Sequence, residues 1–184
     1  MKKSLLTMLA CATLALTAMS ASAQNDPTVG GAAMYPSKNI VENAMQSPIH
    51  KTLVAAVKAA GLVDTLSGPG PFTVFAPTDE AFGKLPAGTV DTLVKPENKD
   101  TLTKILTYHV VAGKISSKDL KAWIKKGHGT YTAKTVEGGM LTFTEEMGKI
   151  KITDEKGGSA WITTADVFQS NGVIHVIDSV LMPS

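Results

Sequence analysis

Asn171-Gly-Val-Ile-His-Val-Ile-Asp-Ser-Val-Leu-Met-Pro183 opens on a turn-forming pair, runs through five residues that are apolar apart from His175, and stops at Asp178. Side chains alternate sides along a strand, so apolar residues at both parities predict a strand covered on both faces. Phe72-Thr-Val-Phe-Ala-Pro-Thr-Asp-Glu-Ala-Phe82 has a similar build. A strand from Phe72 to Phe75 halts at Ala76-Pro77. Thr78 is then placed to cap a helix, with Asp79 and Glu80 in its first turn, where the helix dipole favours carboxylates.

Working outward, Gly68-Pro69-Gly70-Pro71 reads as a rigid turn that aims the first of these strands. Upstream, Ser47-Pro48 predicts a helix start, with Ile49, Leu53, Val54 and Val57 on its apolar stripe and Gly61 as its C-cap. A second helix is expected from about Pro96 to Val110, and a third from Ser116-Ser117 to Gly127. From Thr130 the hydrophobic period changes to two. Strands are expected over 131–136, 140–144, 149–153 and 160–164, with hairpin turns at Glu137-Gly-Gly139 and Asp154-Glu-Lys-Gly-Gly158. Helices first and strands later give an α+β domain.

These two segments, with Tyr108-His109 between them, resemble the fasciclin (FAS1) domain. The likeness covers roughly Ile40 to Pro183, and the closing block is its most specific part. It implies a twisted β-sandwich or wedge with helices packed around one side, and it places the two motif strands close together in the core. The residues that carry it are Phe72, Phe75, Thr78, Tyr108, His109, Asn171, Gly172, His175 and Asp178. It also implies a setting in cell adhesion or the extracellular matrix. It brings no catalytic residues and no cofactor.

The N-terminus has the layout of a bacterial secretory signal peptide: Lys2 and Lys3, an apolar run from Leu5 to Ala18, and a small-residue cleavage site at Ala21-Ser22-Ala23. The run is broken by Thr7, Thr13 and Thr17 and is short for a membrane span. Met8-Leu9-Ala10-Cys11 matches a lipoprotein signal poorly. The expected organisation is therefore a signal peptide over 1–23, a flexible Pro- and Gly-containing arm over 24–39, and the FAS1 domain over 40–184. Cleavage after Ala23 removes the only cysteine. The formal net charge of +2 falls to zero once Lys2 and Lys3 are gone. With no arginine and no charge excess, nucleic acid and anionic lipid are excluded as expected partners. No integral membrane anchor is expected, and the protein is read as exported, to the periplasm or beyond.

The candidate contact is Asp166-Val167-Phe168. In animal matrix members of the family, an Asp-Ile pair at the matching place is tied to integrin binding. Here Val follows the aspartate and Ala165 precedes it. A carboxylate beside an exposed hydrophobe suits a partner's basic pocket; it equally suits a strand edge guarded by charge. Tyr108-His109 reads as structural, with the His ring tying strands together. His50, His109, His128 and His175 lack zinc-pair spacing, so no metal is expected. No nucleophile elbow or phosphate loop is present, and the chain is read as non-enzymatic. The expected function is an adhesion or interaction module for a surface protein or glycan, self-association included. The alternative is a carrier of a small apolar ligand, with Trp123 and Met140 as lining.

Overall fold

A computed structural model describes residues 27–184. The expected signal peptide, Cys11 and the first residues of the expected arm lie outside the described residues. The chain opens with a small hairpin, β1 (Thr28–Val29) and β2 (Ala32–Ala33), followed by α1 (Ile40–Gln46), α2 (Lys51–Ala60) and α3 (Val63–Ser67). The first motif strand is β3 (Phe72–Pro77). After it come α4 (Asp79–Gly83), α5 (Thr89–Leu93), a 3-10 turn (Pro96–Asn98), α6 (Lys99–Tyr108), β4 (Val110–Ala112) and α7 (Ser117–Lys126). The strand-rich end is β5 (Thr130–Lys134), β6 (Met140–Glu146), β7 (Lys149–Thr153), β8 (Ser159–Gln169) and β9 (Gly172–Ile177).

Seven strands form one sheet in the order β4-β3-β9-β8-β7-β6-β5. β3 and β9 run parallel in register from Phe72↔Gly172 to Pro77↔Ile177, and the other neighbours are antiparallel. A bridge between Val111 and Thr135 joins the two ends, so the sheet curls almost into a barrel. The two segments most legible in the sequence are therefore paired residue for residue at the centre of the fold.

That pairing divides the core. One apolar cluster fills the space between the helices and the outer side of β3, β8 and β9, with Val74, Ala76, Val167, Ile174 and Val176 contributed by the strands. The other fills the interior of the curled sheet under α7, around Phe75, Tyr108, Leu120, Phe143, Ile152 and Ile177. β9 is buried along its whole length, which is why its sequence does not alternate.

Three expectations need correction. Residues 27–39 do not form a free arm: Val29 and Met34 are buried, and Met34 N–H donates to the Pro27 carbonyl. Asn39 then caps α1 reciprocally with Glu42, a capping box that the spacing Asn39-x-x-Glu42 displays. Ser47-Pro48 does not open a helix. Ser47 ends α1, and α2 begins after His50. The expected helix from Pro96 to Val110 is split, with a 3-10 turn before Lys99 and strand β4 from Val110 onward. The predicted caps Thr78, Ser116 and Gly61 stand where the sequence places them, Gly61 in the left-handed region at φ 72°.

Candidate functional site

Phe75 is fully buried and packs on Phe143 and on the His175 ring, with centroids 5.4 and 5.6 Å away. Thr78 accepts a hydrogen bond from Ala81 N–H and caps α4. Asp79 turns out to serve a different helix. Its carboxylate accepts from Thr52 N–H at 2.8 Å and from Lys51 N–H at 3.4 Å, capping α2, whose own N-cap residue His50 supplies no side-chain bond. Two adjacent residues thus fix the starts of two helices against β3.

Tyr108 and His109 lie where helix α6 gives way to β4, and both are buried. The Tyr108 hydroxyl donates to the Met140 carbonyl at 2.8 Å and accepts from Glu155 N–H at 3.2 Å, so it pins two hairpins together. Burial pushes its phenol up to about 12, with the Glu155 N–H opposing. His109 Nδ1–H donates to the Ile105 carbonyl at 2.8 Å, and Nε2 accepts from Leu181 N–H at 3.0 Å. Those two partners fix the neutral tautomer. Burial brings its pKa down to about 4, against the Ile105 carbonyl and the Asp154 carboxylate.

The closing block carries three further ties. Asn171 accepts from Ile40 N–H at the start of α1 and donates to the Leu66 and Gly68 carbonyls at the end of α3. His175 Nε2–H donates to the Ile115 carbonyl at 2.8 Å, while Nδ1 accepts from Asp166 N–H at 3.2 Å. Asp178 accepts from Trp161 N–H at 2.9 Å. Sequence reasoning missed a fourth tie: Asn43 donates to the Gln169 side chain and to the Tyr35 carbonyl, joining α1 to β8. Polar residues in short, uncalled helices gave no periodic signal for it.

The Asp166-Val167-Phe168 contact is not a continuous surface. Val167 is fully buried against the helices. β8 is an interior strand, so Asp166 does not guard an edge. It sits at an irregularity in the β8–β9 register with φ 59°. Its carboxylate accepts from Ser117 N–H at 2.6 Å and from the Ser117 hydroxyl, anchoring the first turn of α7. Asp166→Ala is therefore expected to cost stability, about 1–3 kcal/mol, by leaving these donors unpaired. Chemical denaturation of the variant checks it, and an unchanged midpoint would show that the anchor is dispensable. Phe168 alone of the three faces outward, 38% exposed, with Lys114 Nζ 4.9 Å from its ring centroid.

The expected ligand lining does not assemble. Trp123 packs against Tyr131, the rings tilted at 41°, beside a shallow groove that includes Lys126 and Thr130. Met140 is exposed at the far end of the β5–β6 pair, opposite Lys134. The enclosed apolar cleft of the protein lies elsewhere, between α1, α2 and the sheet, and neither residue reaches it. His128 is exposed in a left-handed turn. Among the described residues, no group of three or more His, Cys, Asp or Glu side chains is placed to share a metal ion. No described helix is long and apolar enough to cross a membrane.

Residues 48–183 match the family model for the fasciclin domain. Protein sll1483 of Synechocystis sp. is 49% identical over 160 residues, a match that covers 87% of this chain and 82% of that protein. The cell surface glycolipoprotein MPB83 of Mycobacterium bovis is 35% identical over 167 residues, covering 88% of this chain and 68% of its own. Among solved structures, a FAS1 domain pair from the insect cell adhesion molecule Fasciclin I superposes with a TM-score of 0.71 at 22% identity. That match covers 80% of this chain and 51% of the other. At that identity the likeness speaks for the fold alone.

Proposed function

The chain belongs to the fasciclin domain family, and from that premise we propose that it is an exported, non-catalytic interaction module. It engages a surface protein or glycan, or a second copy of itself. The observation that carries this reading is the outward placement of Phe168. Its neighbour Val167 is locked into the core and Asp166 is tied to Ser117, so the strand cannot turn Phe168 inward without breaking both. Nothing in the fold requires an aromatic ring there. Beside it, exposed Lys114 lies over the ring and adds a charge to the apolar face.

Export rests on the signal-peptide layout of residues 1–23, and MPB83, described as a cell surface glycolipoprotein, is a relative found in that setting. The test coats beads with the mature protein and counts their attachment to cells of its own source. Wild-type beads attach, and Phe168→Ser reduces attachment several-fold with an unchanged melting temperature, because an exposed side chain contributes little to folding. Wild-type beads that fail to attach would refute adhesion. Attachment unaffected by Phe168→Ser would move the contact away from this face. Sedimentation of the free protein separates self-association from capture of a different partner.

A further inference from the structure

His50 is 3% exposed; its Nδ1 lies 2.7 Å from the Ser47 hydroxyl, and its Nε2 has no well-aligned hydrogen-bond partner among the described residues, although the Ala76 carbonyl lies beside the ring. The imidazole lines the cleft between α1, α2 and the outer side of β3 and β9. The walls there are apolar: Ala44 and Met45 from α1, Leu53 and Val57 from α2, Val74 and Ile174 from the sheet. Ser47 and His109 also reach the cleft, but the Ser47 hydroxyl and both His109 nitrogens have partners. Exposed Lys58 stands at the other end. It is two helical turns along α2 from His50, about 12 Å at the α-helical rise. A buried polar atom without a partner costs free energy, so an orphan nitrogen at the end of an apolar track calls for a ligand atom.

We propose that this cleft binds a linear amphiphile of medium chain length, its hydroxyl bonded to His50 Nε2 and its alkyl chain running along α2 toward Lys58. The inference stands on the cleft and not on the adhesion reading. Burial keeps the imidazole neutral by lowering its pKa, although the nearby Ala76 carbonyl and Asp79 oppose it. A neutral ring has one donor and one acceptor nitrogen, and which is which depends on the Ser47 hydroxyl. A hydroxyl both donates and accepts, so it satisfies Nε2 in either tautomer. A carboxylate could accept only from the Nε2–H tautomer and would bring an unpaired charge into apolar surroundings, and an alkane would leave the nitrogen bare.

The cleft holds about 40 Å³ of free space, room for no more than a few water molecules, so the chain must widen it. Met45 is placed for that: it lines the cleft, is 47% exposed, and its unbranched side chain can swing outward without unpacking the core. The start of α1 is fastened by Asn171 and Asn43, which confines the opening to its last turn.

The test titrates the mature, delipidated protein with 1-decanol, decane and sodium decanoate while following methyl resonances of Val57 and Ile174. Decanol is expected to saturate at one equivalent and to bind about tenfold tighter than decane, the worth of one hydrogen bond. His50→Leu should abolish that preference while decane still binds, and Ala44→Trp should block both. His50→Phe, a planar ring without nitrogen, serves if His50→Leu does not fold. The proposal fails if decanol gives no saturable shift, if the preference survives in the His50 variants, or if decanoate binds tighter than decanol. It also fails if an ordered water stays on Nε2 when decanol is in excess.

Discussion

Gly172→Ala is expected to lower the stability of this domain by about 4 kcal/mol or more, a fall in melting temperature of roughly 8–16 °C for a chain of this size. A Cβ at Gly172 would come closer than 3.0 Å to the carbonyl oxygen of Phe72, and it would press on Ile40 Cδ1 from α1. The opposing group is backbone in the central parallel pair, with no side chain that could swing away. Gly70, in the turn just before β3, meets the same constraint, since its Cβ would strike the Asn171 carbonyl. Relief would require β3 and β9 to separate where Phe72 pairs with Gly172, with the Asn171 bonds to α1 and α3 anchored next door. Gly83→Ala is the contrast. That glycine ends the short helix α4, nothing lies within 4 Å of its Cβ, and alanine there should be neutral or stabilising by up to about 1 kcal/mol. Thermal melts of both variants decide the matter. Equal melting temperatures would mean that the β3–β9 contact is slack.

The same contact shows what a sequence can and cannot display. Continuous apolar sequence marks Val173 to Ile177 as a strand covered on both faces, and period-two patterning marks β5 to β7 and the first half of β8, whose residues 165–169 it leaves out. Those signals are written by many residues at once and survive local irregularity. Helix α1 was missed because seven residues offer too few turns for a periodic stripe, even though its capping box was in view at Asn39 and Glu42. The break before Lys99 was missed for a different reason. Pro96 can open a helix as readily as it can end a turn, and the 3-10 geometry there is chosen by packing.

At the candidate site, legibility stopped at residue identity. Asp166, Val167 and Phe168 stand out together in the sequence, but alternation along a strand lets only one side of such a triplet face solvent. The pattern Ala165-Asp-Val-Phe168 leaves the choice of side to the register irregularity in β8, a feature with no sequence marker. By sequence Asp79 reads as a partner of its own helix dipole, whereas it caps a helix almost thirty residues upstream. A side-chain bond between elements distant in sequence is a tertiary fact. The residue type predicts that a bond will form, and the fold decides with whom. His50 illustrates the same limit, since one histidine among four had nothing in its spacing to set it apart.

Those histidines make acid the condition under which this fold should weaken most. Three of the four are buried, and burial lowers the pKa of His50, His109 and His175 alike. The unfolded chain therefore takes up protons that the folded chain refuses. Stability is complete above the unfolded value of 6.5 and is lost as pH falls toward the folded value, about 4 for His109. By pH 4, His109 alone should account for about 3 kcal/mol. Protonation there also places an N–H on Nε2 facing the Leu181 N–H, which detaches the C-terminal segment from the helix α6 junction. Nearby carboxylates oppose the effect without cancelling it: Asp154 for His109, Asp166 for His175 and Asp79 for His50. The carboxylates of half-buried Asp119 and exposed Glu155, whose pKa values are held down chiefly by hydrogen bonds, lose their contribution only at lower pH. Urea unfolding between pH 7.5 and 4 should thus show a decline that begins near 6.5, ahead of the carboxylate range. His109→Leu, less stable than wild type at neutral pH because it leaves Leu181 N–H unpaired, should lose less on acidification, so the two curves converge. Parallel curves would mean that His109 is protonated as readily in the folded domain as in the unfolded chain, and that its two backbone bonds do not hold it neutral.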